Sequence, residues 1–324
     1  MKRIAFGLLG EPAIGGMVRL SARAEELGYD SIWLSETRFN RDAITAAAAV
    51  GLATSSVKIA TGVINTYTRG AVLTAITLAT LDELTGGRAI LGIGPGSPLI
   101  LERQGIEFDR PLKRLREYTE VVRRLMTGET VTHEGEAFTV HNVKLDFAPV
   151  RPVVPIYFGV TGPYALRLAG EIADGVMLNG FISLAYALRA LEHLRAGALR
   201  AGRALDTVDV TSAVIISIDD DSRRAKDAMR PLVATYLATF PNIARETSVP
   251  ESQLSVIRNV FGREGPDETV RYITDDMVDE ITCSGTPDEV RAGIAQRRTA
   301  GVDMPILFIA HGDAESALTD LRGA

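Results

Sequence analysis

Residues 57–96 read VKIATGVINTYTRGAVLTAITLATLDELTGGRAILGIGPG, and the order of patterns within them sets the fold class. Residues 57–63 are a short apolar run interrupted by little else, which predicts a buried strand. Residues 70–84 carry apolar side chains at helical spacing, and residues 88–93 form a second buried strand. Strand, helix and strand in that order make one βαβ unit. Strands apolar along their whole length suit a parallel sheet covered on both faces.

The same alternation continues outward. Upstream, residues 4–9 form an apolar run followed by a turn with Gly10, Pro12, Gly15 and Gly16. Met17, Leu20, Ala24 and Leu27 then recur at helical spacing and stop at Gly28, a natural C′ residue. Residues 31–35 are the next strand, and residues 42–54 an Ala-rich helix that Asp42 is placed to cap. Downstream the rhythm loosens into a helix over 110–126 and a hairpin over 131–140 about Gly135. Strands follow at 156–160, 176–179, 208–218 and 305–310, with helices at 163–172, 184–201 and 287–300. Eight parallel strands with helices between them predict an α/β fold, a single (β/α)8 barrel over residues 1–324. The surplus length forms two insertions, at about 128–152 and 222–280, the second polar and helical.

Composition narrows the partners. Hydrophobic residues are 46% and charged residues 23%, enough for a large core and a solvated surface. Lys and Arg number 35 against 41 Asp and Glu, a formal charge of −6, and no basic stripe is present to displace counterions from a nucleic acid. No apolar run approaches a membrane span, and the chain enters a strand without a leader-like segment, so a cytoplasmic location is expected. Cys283 is the single cysteine, so no intramolecular disulfide forms. The four histidines, His133, His141, His193 and His311, lack ligand spacing, and no metal site is expected.

In a barrel of this kind the site lies where strands end and the next loops begin. Four such places hold more than turn residues. Residues 92–96, Gly-Ile-Gly-Pro-Gly, resemble a dinucleotide fingerprint but fail on spacing, since Ser97 and Leu99 stand where a third glycine belongs. Pro98 disfavours a helix starting directly there. Gly94, Pro95, Gly96 and Ser97 read either as a tight rim turn or as backbone bare enough for a flat ring system to approach. Residues 157–166 run from a strand through Gly159, Val160, Thr161 and Gly162 into Pro163 at a helix N1 position, which predicts a phosphate site on helix amides. Residues 61–69 end a strand in polar side chains from Asn65 to Arg69, the lining of a pocket. Glu36, with Arg38, Asn40 and Arg41, forms a charged cluster after the second strand that reads equally as surface ion pairs. Asn179, which ends a later strand, is a further cofactor-binding candidate.

These stretches, in this order, resemble the bacterial luciferase-like superfamily. Within it they are most similar to the deazaflavin-dependent branch that includes the methylenetetrahydromethanopterin reductases. The resemblance rests on residues 61–69 running into 79–89, ATLDELTGGRA, then 92–96, with 170–175, 284–290 and 300–303 in support; the specific stretch is residues 67–96. It covers the whole chain, both insertions included. It implies coenzyme F420, or FMN as in other branches, with the ring over the barrel mouth and a non-prolyl cis peptide between Gly62 and Val63 beneath it, whose bulge would press the back of the ring. Ile64 and Asn65 would continue that wall, and the cofactor phosphate would sit on residues 159–162.

The family implies an oxidoreductase that moves a hydride between the deazaflavin and an organic substrate; among this chain's own strand-end residues, Glu36 is the first candidate for proton handling and Glu11 the second. The alternatives are an FMN-dependent monooxygenase and a non-catalytic flavin-binding barrel. A homodimer through the helices after the second and third strands is also implied. The chain departs from the methanopterin reductases at three places: Leu9 where they have a glutamate, Glu36-Thr37 where they have Asp-His, and Ser97 where they have an acid. These changes face the substrate and leave the cofactor reading intact.

Overall fold

Strands in which every residue is buried organise the molecule. The computed structural model describes residues 2–36 and 39–324, and its first strands, β1 (Ala5–Leu8) and β2 (Ser31–Leu34), expose no side chain. Such strands need cover on both faces, and the helices between them supply it. Contacts divide the chain into two compact units, residues 6–177 with 194–209 and a second built from the remaining residues.

The first unit continues with β3 (Lys58–Thr61), β4 (Ile64–Asn65) and β5 (Ala89–Gly94), then the antiparallel hairpin β6 (Val131–Glu134) and β7 (Thr139–Val143), then β8 (Ile156–Gly159) and β9 (Gly175–Leu178). Parallel pairing runs β2 to β3, β3 to β5, β5 to β8 and β8 to β9. The helices are α1 (Ile14–Glu26), α2 (Ala43–Ala53), α3 (Ala71–Leu84), α4 (Pro98–Glu102), α5 (Pro111–Met126) and α6 (Pro163–Ile172). Trp33, Phe6 and Phe158 are fully buried among the strands, and the Trp33 ring meets Tyr157 edge-on at 5.4 Å.

The second unit holds most of α7 (Leu184–Arg200), then β10 (Asp209–Ile218), α8 (Ser222–Thr239), α9 (Pro241–Ala244), α10 (Glu251–Glu264), α11 (Pro266–Thr269) and α12 (Asp275–Ile281). It closes with β11 (Cys283–Gly285), α13 (Pro287–Thr299), β12 (Met304–His311) and α14 (Ala314–Asp320). β10 pairs in parallel with both β11 and β12. With β3 and β4 taken as one interrupted strand, and β11 as an addition to the sheet, the chain has the predicted (β/α)8 fold.

Three local expectations change. The strand predicted over 57–63 stops at Thr61, and a second short piece, β4, resumes at Ile64. A short strand, β11, follows the helical insertion where none was predicted. A helix does begin at Pro98, with that proline at its first position, where a missing N–H costs nothing. Asp42 caps α2 as predicted, its carboxylate accepting the Thr45 N–H at 2.7 Å. Among the described residues, no helix is long and apolar enough to cross a membrane.

Candidate active site

The break between β3 and β4 builds the centre of the site. Ile59 pairs with Ala89 and Ala60 with Ile90, an offset of 30, whereas Ile64 pairs with Ile93 and Asn65 with Gly94, an offset of 29. One surplus residue has therefore entered the first strand, and Thr61, Gly62 and Val63 oppose only Leu91 and Gly92. That is a bulge, which re-aims the side chains it carries. The peptide between Gly62 and Val63 is cis, as the resemblance implied; Glu11–Pro12 is also cis.

Val63 is seated on glycines. A Cβ built on Gly159 would lie 2.7 Å from Val63 Cγ2, and one on Gly94 would lie 3.1 Å from the same atom. A Cβ on Gly92 would lie 3.0 Å from Val63 Cγ1 and 1.9 Å from the Thr61 carbonyl oxygen. The glycines of β5 and β8 thus make room for the chain's own valine. On the other side, a Cβ on Gly62 would come within 3.2 Å of Trp33. Gly96 has φ +76° and faces the Asn65 side chain.

The loop from Asn65 to Arg69 is partly turn and partly lining. The Asn65 carboxamide oxygen accepts the N–H groups of Tyr67 and Thr68 at 3.0 and 2.9 Å, a self-contained Asx turn. Thr66 is different: its hydroxyl is buried and has no hydrogen-bond partner among the described residues. Such a group calls for a ligand or a water.

Arg69 joins the charged cluster. Its Nη2 donates to Glu36 Oε2 at 3.2 Å and to Asp42 Oδ1, while its carbonyl accepts the Tyr118 hydroxyl at 3.0 Å. Burial weighs against ionisation of Asp42, yet the hydrogen bonds from Thr45 and the guanidinium of Arg69 together hold its carboxyl below the usual carboxylate range. Burial pushes the Tyr118 phenol up to about 12, so it remains a neutral donor. Glu36 therefore has one oxygen engaged, and its Oε1 has no partner among the described residues. Glu11 stands apart, its side chain largely exposed and paired with Arg41 at 3.3 Å. Arg41 and Asn40 also donate to the carbonyls of Gly10 and Leu9, tying the loop after β1 to the loop after β2. Arg38 of this cluster, and Thr37, lie outside the described residues.

Gly159 closes β8, Val160 is buried behind it, and Gly162 is the N-cap of α6 with Pro163 at N1. No side chain caps this helix, and a Cβ on Gly162 would meet nothing within 4 Å, so the α6 amides stand at an open N-terminus. Ser97 precedes α4 without capping it. Asn179 belongs to the other unit, where its side-chain oxygen accepts the Phe181 N–H at 3.1 Å. Among the described residues no cluster of three potential metal-binding side chains occurs.

Sequence reading did not single out Thr61 as more than a strand end, or connect Asp42 and Tyr118 with Arg69. A hydroxyl inside an otherwise apolar run was the one available signal for the former. Nothing local marks the latter, since α5 contributes Tyr118 from far along the chain.

Against known proteins, residues 3–304 match the family of luciferase-like monooxygenases. The 5,10-methylenetetrahydromethanopterin reductase of Archaeoglobus fulgidus is 35% identical over 284 residues, which cover 86% of this chain and 85% of that protein. The F420-dependent glucose-6-phosphate dehydrogenase of Nakamurella multipartita is 36% identical over 226 residues, 65% of this chain and 66% of its own length. Among solved structures, the coenzyme F420-dependent tetrahydromethanopterin reductase of Methanopyrus kandleri superposes with a TM-score of 0.91 at 26% identity, covering 99% of this chain and 97% of that one.

Proposed function

We infer, for a chain that belongs to the luciferase-like monooxygenase family, that it is a coenzyme F420-dependent oxidoreductase transferring a hydride between the deazaflavin and an organic substrate. The observation that carries the reading is the bulged strand whose Val63 is set into the glycines of β5 and β8, followed by Thr66, whose buried hydroxyl has no partner among the described residues. The residues present fit the cofactor. Gly62, Val63, Ile64 and Asn65 would form the wall behind the ring, Gly94, Pro95, Gly96 and Ser97 its edge, and the open amides of residues 159–162 the phosphate cradle. When bound, F420 supplies two-electron hydride chemistry at its deazaflavin ring.

The protein's own part is to orient, to exclude water and to hold a proton. Glu36 is the first candidate for the last of these. Arg69 fixes one of its oxygens and leaves the other open, and Asp42 and the Tyr118 hydroxyl fix Arg69 in turn. Glu11, exposed and bound to Arg41, is the second candidate. The relatives that act on methanopterin make a pterin-borne one-carbon group the first substrate to try. Leu9 and Ser97 are the positions at which this chain would treat that substrate differently.

The apolar, Ala-rich helices α2 and α3 expose Leu52, Leu73 and Ile76, which supports a homodimer formed through them. The test of the activity is anaerobic oxidation of reduced F420 in the presence of methylene-tetrahydropterins, with oxygen uptake on reduced FMN as the comparison. Substrate-dependent oxidation of reduced F420 supports the reading, and oxygen uptake with FMN alone contradicts it.

A further inference from the structure

A bulge in a parallel sheet leaves ladder groups without their usual partners, and this one is repaired by a single side chain. Between the pairs Ala60–Ile90 and Ile64–Ile93 the backbone ladder of β3 and β5 is interrupted. Across that gap the buried Thr61 hydroxyl donates to the Gly92 carbonyl at 2.8 Å and accepts the Gly92 N–H at 2.9 Å. The Gly62 N–H turns the other way and donates to the Leu34 carbonyl of β2 at 2.7 Å. The bulge is thus pinned on both sides. Its carbonyl side is pressed so close to Gly92 that no other residue fits there, a Cβ meeting the Thr61 oxygen at 1.9 Å.

We propose that Thr61 is a positioning residue for the cofactor, its hydroxyl standing in for the missing ladder bonds and so setting how far Val63 projects from the strand. This rests on the F420 reading above. Thr61 acts through Val63, not by touching the ligand. The hydroxyl serves donor and acceptor at once, so a methyl in its place leaves both Gly92 groups unpaired in a buried strand, and the bulge relaxes to recover them. Val63 then shifts on its glycine seat.

The experiment uses Trp33, the sole tryptophan, which packs against Gly62 and reports locally on this site. Wild-type protein, Thr61→Val and Thr61→Ser are titrated with F420 by tryptophan fluorescence, well below the melting temperature of each. Thr61→Val, nearly the same shape without the hydroxyl, is expected to bind F420 about tenfold more weakly. Thr61→Ser, which keeps the hydroxyl, is expected to bind within about threefold of wild type. A purely structural role would lower the melting temperature of Thr61→Val and leave its affinity unchanged, and that outcome overturns the proposal. So does a Thr61→Ser variant as weak as Thr61→Val. If Thr61→Val does not fold, Thr61→Cys keeps a weak donor and acceptor in place; intermediate affinity supports the proposal and wild-type affinity overturns it. Wild-type protein that binds no F420 removes the cofactor reading itself, and this inference with it.

Discussion

Glu36 shows how much a single side chain owes to others. One of its oxygens is held by Arg69 and the other is open, the arrangement the proposed proton role would use. Glu36→Gln keeps the shape and removes the proton chemistry. It is expected to lower turnover by about a hundredfold while the F420 dissociation constant changes less than about twofold, measured by steady-state kinetics beside a binding titration. Unchanged turnover would remove Glu36 from the mechanism. At the glycines the limiting factor is space. Gly159→Ala places a carbon 2.7 Å from Val63 Cγ2, so Val63 must move, and F420 affinity is expected to fall about tenfold. The residue types at these positions were legible: glycines, Asn65 and Glu36 all stood out. Their assignments were less so, because Asn65 spends its carbonyl oxygen on its own turn and the glycines accommodate a valine from a neighbouring strand.

At the scale of elements, residues 79–89, within the stretch 67–96 that made the resemblance specific, form a structural bracket. Asp82 is fully buried and accepts two bonds from Arg151, at 2.8 and 2.9 Å, and one from the Ala89 N–H. Arg88 donates to the carbonyls of Gly51, Thr54, Val57 and Thr85, gathering the ends of α2, β3 and α3. These bonds hold the start of β5, and hence its glycines, in place. Asp82→Ala strands a partly buried Arg151 and is expected to cost about 3 kcal/mol in urea denaturation, with little change in the residual chemistry of molecules that stay folded.

A second bracket is sensitive to pH. Glu25 of α1 accepts the N–H groups of Ser55, Ser56 and Val57. Burial works against its charge, but these bonds prevail and lower its carboxyl from the ordinary 4.5 to about 2. A depressed folded value means stabilisation that is complete above about pH 4.5 and fades as pH falls toward 2. The melting-temperature gap between wild type and Glu25→Gln is therefore expected to be larger at pH 7 than at pH 3. Element order was readable from period and turns, whereas the bulge after Thr61 was implied by the resemblance alone. A register shift is a relation between two strands, and one strand's pattern does not carry it.

For the whole molecule, the (β/α)8 chain is expected to use a deazaflavin in preference to FMN. Its assembly is a separate matter: sedimentation is expected to show a dimer, and Leu52→Asp with Leu73→Asp to yield monomer, if α2 and α3 form the contact. The measurement that bears most directly on the claim is titration of the purified protein with coenzyme F420 and, separately, with FMN, followed by Trp33 fluorescence. Micromolar binding of F420 with much weaker binding of FMN is the predicted result; preference for FMN, or binding of neither, would contradict it.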